Sequence, residues 1–203
     1  FHQGIRACGD HDVVVLGDHD DLWHPQRIAH QTQILLADAA AVMVAGNGRL
    51  VDEHGRATGG TLRETFAVPD DWSTMDPGAR MRYAIRHSVA TGGASAVRPG
   101  LLVDLRVPAG WLHDRWWSLV ATAQGGMLLD PHTVIDYRVS PTQEVGLDRG
   151  RQSEGTLHRA LSAVIDAPDI ARKVRDLSGL RSLAATDQAV AALALPALLA
   201  ALR

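Results

Sequence analysis

The chain has 203 residues, 46% of them hydrophobic and 21% charged, with a formal net charge of −3. That is enough apolar chain for one domain with a sizeable core, and there is no basic excess to point to nucleic acid. A lone cysteine, Cys8, rules out a disulfide framework within the chain and fits a reducing compartment, so a cytoplasmic location is expected.

Residues 1–10 read as the tail of a helix and a turn. Val13–Leu16, four consecutive apolar residues of which three are β-branched, are predicted as a short buried strand. Gly17 ends it, and Asp18, Asp20 and Asp21 follow within four positions, just before Leu22 and Trp23. Pro25 opens a helix to about Ala37, whose inner face is predicted to carry Ile28, Gln31, Thr32, Leu35 and Leu36. The acids thus stand at the C-terminal end of a strand, entering a helix, which is where ligands bind in open α/β sheets. Carboxylates that repel one another at this density call for a cation or full solvation, and hard oxygen ligands suit Mg²⁺ or Mn²⁺. The same turn also reads as plain helix capping, because Asp caps helices and tolerates turn geometry.

Ala39–Ala45 is a second apolar run, strand or helix, and Gly46-Asn47-Gly48 closing it favours a strand. A turn falls at Glu53–Gly55. Gly59-Gly60 and the polar stretch to Asp71 read as a loop, either a flap over a site or a passive connection. A helix starts at Asp76-Pro77 and runs through Met81 and Ile85 to Arg86. Gly92-Gly93 precede a small-residue strand, and they either admit a close backbone approach or make a tight turn. Pro99 to Leu105 reads as a short helical turn.

Three of the five tryptophans, Trp111, Trp116 and Trp117, fall within seven residues. Leu112, Trp116, Leu119 and Val120 have helical spacing and are predicted to face inward. His113 and Asp114 lie in the first turn of that helix. Asp114 is either an ordinary N-terminal helix acid or a carboxylate made more basic by its aromatic surround for proton abstraction. Met127–Leu129 and Thr133–Val139 are predicted as two strands, the second delivering Arg138 and Ser140 to a strand end. Residues 155–203 are rich in Ala, Leu and Arg and read as helical, with breaks near Pro168 and Gly179 and a kink at Pro196. Residues 147–203 are therefore expected to be a helical appendage to a domain of residues 1–146. The appendage would pack on the core, on a partner such as a second copy, or lightly on a membrane surface.

Five segments together resemble the family 2 glycosyltransferases of GT-A fold, in their rhamnosyltransferase-like branch. Asp18-His19-Asp20-Asp21-Leu22-Trp23-His24-Pro25 resembles that branch's Asp-Gln-Asp-Asp-Ile-Trp-x-Pro, and Leu50-Val51-Asp52-Glu53-His54-Gly55 its Leu-Val-Asp-Glu-Asp-Gly hairpin. Val89-Ala90-Thr91-Gly92-Gly93 is similar to its Val-Thr-Gly loop. Gly110-Trp111-Leu112-His113-Asp114-Arg115-Trp116-Trp117 is similar to its Trp-x-His-Asp-x-Trp segment, and Tyr137-Arg138 begins its Tyr-Arg-x-His. The segments occur in the family's order over residues 1–146.

The resemblance implies an α/β fold, a partial GT-A mixed sheet flanked by helices. It implies an inverting transfer of sugar from a nucleotide-diphosphate sugar, dTDP-rhamnose or a UDP-sugar. The acceptor would be a hydroxyl of a cell-surface glycan or lipid-linked molecule, which would bring the protein to the inner face of the membrane. Asp18 and Asp20 would be the Asp-x-Asp pair that faces the ribose and the metal, with Asp21 in support and Trp23 and Arg138 on the donor side. Gly92 and Gly93 would border the donor sugar or the acceptor pocket. Asp114 would be the general base, with Trp111, His113 and Trp117 on the acceptor side.

Two features depart from the family pattern. Ser140 stands where the family has a His, and Gln143 where it has an Asn. The family's Thr-Tyr-Asn strand and Asp-Asp-Gly-Ser segment would precede Phe1, so this chain alone is expected to bind nucleotide sugar weakly and to turn over poorly. Leu16-Gly17-Asp18-His19-Asp20 is also similar to the Gly-Asn-His-Asp turn of metallophosphoesterases, but their upstream Asp-x-His and downstream Gly-His-x-His are missing. A truncated, non-catalytic binding or structural domain is the remaining alternative.

Overall fold

The computed structural model describes residues 2–8, 10–66, 68–102, 106–139 and 167–194. In chain order these form α1 (His2–Ala7), β1 (Val14–Val15), β2 (Leu22–Trp23), α2 (Arg27–Ala37), β3 (Met43–Val51), β4 (Ala57–Thr61), α3 (Leu62–Thr65) and α4 (Pro77–Arg86). Then come β5 (Ser95–Val97), α5 (His113–Ala123), β6 (Met127–Arg138), α6 (Ala167–Gly179) and α7 (Asp187–Ala192). The strands form one mixed sheet in the order β1-β5-β3-β6-β2, with β4 also on β3. β3 and β6 run parallel and every other pairing is antiparallel.

The alternation of β3 and β6 places a layer on each face. Met43, Ala45 and Met127 turn into the main core with Trp72, Met81, Ile85, Trp116, Trp117, Leu119 and Val120. Val44, with Leu128 packed beside it, turns the other way, onto Leu35 of α2 and Ala96 of β5. Asp76 caps α4 by accepting from the Ala79 N–H, so the Asp-Pro start behaves as predicted. Leu177, Leu180, Ala192 and Leu193 belong to the same main core as Trp111 and Trp116. The described part of residues 147–203 thus packs its apolar face into this core, chiefly against α4 and α5. No helix of the described residues is long and apolar enough to cross a membrane.

Several expectations are corrected. Gly46-Asn47-Gly48 does not close a strand; β3 runs through it to Val51. Gly46 is required there because a Cβ would lie 2.6 Å from Val134 Cγ2. The two strands predicted at 127–139 are one, bulged where Asp130, Pro131 and His132 face the single Gly46: Ala45 pairs with Leu129 and Asn47 with Thr133. A bulge is where a sheet tolerates a proline. The expected loop from Gly59 to Asp71 begins as β4 and α3. The strand around Val13–Leu16 is half-buried rather than buried, except at Leu16. Ile28, Leu36 and Leu112 are exposed, and Arg27 occupies the inner face of α2 instead. Pro168 lies in the first turn of α6, where its missing N–H breaks nothing. Residues 103–105, Ser140, Gln143 and Pro196 lie outside the described residues.

Candidate active site

Leu16 N–H donates to the Ser95 carbonyl, and the chain then leaves the sheet edge into the acidic turn. Beneath that turn sits Arg27, 1% exposed. Its Nη2 donates to the carbonyls of Leu16 (2.6 Å) and Ser95 (3.3 Å), and its Nε to Gln31 Oε1. Gln31 in turn donates to the Ala94 carbonyl. The Trp23 ring covers the guanidinium at 4.2 Å. Burial draws the Arg27 pKa down to about 10, against the pull of Asp21 and Asp18. Arg27 therefore ties β1, β5 and α2 together below the acids.

Three segments converge on the turn. Gly93 is the pivot: a Cβ there would lie 2.4 Å from Asp21 Oδ2 and 2.8 Å from Asp18 Oδ2. A Cβ on Gly92 would lie 2.6 Å from His113 Nε2. Both glycines are thus sites of close approach. The Gly92 N–H donates to Asp114 Oδ2 at 3.0 Å, and the Arg115 N–H to Asp114 Oδ1 at 2.7 Å, so backbone groups orient this carboxylate. From β6, the Arg138 N–H donates to Asp21 Oδ1 and Arg138 Nε to the Asp20 carbonyl. The Arg138 guanidinium also reaches the Asp52 and Glu53 carbonyls, clasping the β3–β4 hairpin to the acidic turn.

Electrostatics report the same convergence. Burial pushes the Asp21 carboxyl up to about 6, with Asp20 and Asp18 adding to the rise and the Arg138 N–H and Arg27 opposing it. Burial also raises Asp18, where His113 opposes and Asp20 and Asp114 add. Burial lowers the His113 pKa, against Asp114 and Asp18, which favours the neutral ring. Tyr137, buried beside all four acids, is driven up to about 12 by desolvation and then by Asp21, Asp18, Asp20 and Asp114. Tyr137 stays a neutral phenol in this setting.

The predicted residues separate into two groups. Asp18, Asp20, Asp21, Gly92, Gly93, His113, Asp114 and Arg138 come together. Trp23 stacks on Arg27 at the edge of the turn. Trp117 is fully buried, with its ring edge-on to His113 at 5.2 Å, so it backs the histidine from the core. Trp111 turns to the C-terminal helix: its Nε1 donates to Asp176 Oδ2, and Lys173 lies over its ring. Sequence reading missed Arg27 entirely and passed over Tyr137 as a motif letter. Nothing in an amphipathic pattern marks an arginine as inward.

As for cations, Asp21 Oδ2 is buried with no hydrogen-bond partner and faces Asp18 Oδ2 across Gly93. An orphaned carboxylate oxygen beside a second carboxylate fits a divalent cation. Among the described residues, the three-residue group whose ligand atoms all lie within 4.8 Å of one another is elsewhere, at His30, Asp130 and His132. No protein-family model and no curated protein matches the chain.

Proposed function

We propose that the chain carries the metal and acceptor side of an inverting glycosyltransferase site of GT-A type, acting on a nucleoside-diphosphate sugar. The observation that carries the reading is that Gly92-Gly93 bring Asp18 and Asp21 on one side up to His113 and Asp114 on the other. Residues this distant in sequence have no reason to meet if the acids only cap helices.

In this reading the acceptor hydroxyl oxygen attacks the anomeric carbon, the bond from that carbon to the diphosphate oxygen breaks, and the hydroxyl proton passes to the Asp114 carboxylate. Two backbone donors fix the orientation of Asp114 and leave lone pairs for a hydroxyl. A Mg²⁺ or Mn²⁺ held by Asp18 and Asp21, with Asp20 beside them, would neutralise charge on the leaving diphosphate. His113, kept neutral by burial, adds no cation to compete for that place. Arg138 and Tyr137 hold the turn and wall it.

The test is transfer from a labelled nucleotide sugar with Mn²⁺, using the form of the protein that transfers. Asp114→Asn in the transferring form is expected to cut turnover by about 10²–10⁴-fold while nucleotide binding persists. Transfer that survives Asp114→Asn sinks the reading.

A further inference from the structure

A second cluster lies between α2 and the bulge of β6. Asp130 is 7% exposed, and its carboxylate meets two imidazoles. His30 Nε2 is 2.7 Å from Oδ2, and His132 Nδ1 is 2.8 Å from Oδ1. The two rings sit 4.5 Å apart, centroid to centroid. We propose that His30, Asp130 and His132 form a zinc site, distinct from the acidic pocket and independent of the transferase reading.

The local fold explains the placement. Asp130 and His132 are two apart on β6, so their side chains share a face. Pro131 between them has no N–H to give to β3, and the bulge opposite Gly46 lets this stretch stand away from the ladder. The His132 N–H also donates to Asp130 Oδ1, fixing that side chain. His30 comes from the middle of α2, one hundred residues earlier. The bond it makes to Asp130 pins helix to sheet.

The donor set narrows the choice of ion. Two imidazole nitrogens and one carboxylate suit a borderline cation such as Zn²⁺, and are poor ligands for Mg²⁺ or Ca²⁺. Zn²⁺ accepts three protein ligands and completes its tetrahedron with water. Ligand bonds of about 2.1 Å spread tetrahedral donor atoms to somewhat over 3 Å, so the two His–Asp contacts of 2.7 and 2.8 Å open slightly as the ion enters a group whose ligand atoms all lie within 4.8 Å of one another. To ligate, the ring nitrogens that face Asp130 must carry no proton, the other nitrogen of each ring being the N–H. His132 is well exposed. Asp130 and Pro131 also line a cleft of about 620 Å³ beside the group.

The chain is loaded with excess Zn²⁺, freed of loose ion by gel filtration, and its metal counted by elemental analysis. The expected result is about one Zn²⁺ per chain, with affinity at least about tenfold weaker in His30→Ala and in His132→Ala. Asp21→Asn, which removes a carboxylate from the acidic turn, should hold zinc at this site like the parent. His132→Ala removes an exposed side chain, so its circular dichroism should match the parent and its loss of zinc cannot be assigned to unfolding. Zn²⁺ should also raise the thermal midpoint of the parent and leave that of His132→Ala unmoved. No bound zinc, or equal zinc in the parent and His132→Ala, overturns the proposal.

Discussion

Asp21 and Asp136 sit beside each other in the fold, since β2 pairs with β6 and sets Leu22 opposite Asp136. Their carboxyl groups are treated in opposite ways. Asp136 accepts two bonds from the Arg49 guanidinium, at 3.0 and 2.7 Å, and one contact from His24 Nε2 at 3.0 Å. The Arg49 bonds hold its pKa below the usual carboxylate range, with His24 helping. Asp21 has one backbone N–H on Oδ1 and nothing on Oδ2, and burial beside two more acids lifts it to about 6. A carboxylate that serves the fold is given cations by the chain. One held close to its like and left partly unsatisfied is, in the proposed reading, a place for a cation from outside, and perturbed carboxyls of this kind cluster at functional sites.

The most damaging way to break this comparison is to fill the space the acids share. Gly93→Ala sets a Cβ 2.4 Å from Asp21 Oδ2 and 2.8 Å from Asp18 Oδ2, so a carboxylate must swing out or the backbone must move. Overpacking of this kind costs about 1–3 kcal/mol. Mn²⁺ affinity, followed by electron paramagnetic resonance, should fall more than about tenfold because both ligands are displaced. Gly100→Ala is the control, since nothing lies within 4 Å of a Cβ there. Equal Mn²⁺ binding in the two variants would show that the acids hold no ion.

The next test sharpens the comparison by neutralising Asp21. Its folded pKa of about 6 lies above the unfolded carboxylate value of about 3.9. A raised folded pKa means that protonation favours the folded chain. The penalty is full above about pH 6 and fades as the pH falls toward 4. Asp21→Asn should therefore stabilise the metal-free chain at pH 7, by on the order of 1 kcal/mol once solvent screening at its exposed side is allowed for. The gain should vanish near pH 4, and Mn²⁺ should stabilise the parent but not the variant. Urea midpoints at the two pH values measure this, and a loss at pH 7 contradicts it.

What the sequence disclosed follows from how each residue works. Asp18, Asp20, Asp21, Gly92, Gly93 and Asp114 are legible because small, acidic or turn-forming residues in clusters have few reasons to be there. That they share a pocket came from the family resemblance, since spacing cannot bring position 18 to position 114. Arg27 was illegible: helical periodicity ranks Ile28 above an arginine, yet the carbonyls at the end of β1 need a donor and a long side chain can reach them. The bulge at Asp130–His132 was misread as a break because Pro131 ordinarily ends a strand, and the partner His30 lies a hundred residues away.

The smallest expected effect is the mirror of the Asp21 substitution. Asp136→Asn removes the charge from a carboxyl whose folded pKa is already low, chiefly through Arg49. A depressed folded pKa contributes stability above the unfolded value, about 3.9, and loses it as the pH falls through the folded one. The variant should thus be less stable than the parent at pH 7 and equal to it in strong acid. The loss should be smaller than the gain at Asp21, because the Arg49 side chain is half in solvent and such a pair is screened. Raising the salt to about 1 M should shrink it further, whereas the Asp21 effect, set mainly by desolvation, should persist. Two Asp→Asn changes on neighbouring strands would then move stability at pH 7 in opposite directions. If both variants move the same way, the division between a cation-paired carboxyl and a cation-seeking one fails, and with it the physical case for a metal at Asp18 and Asp21.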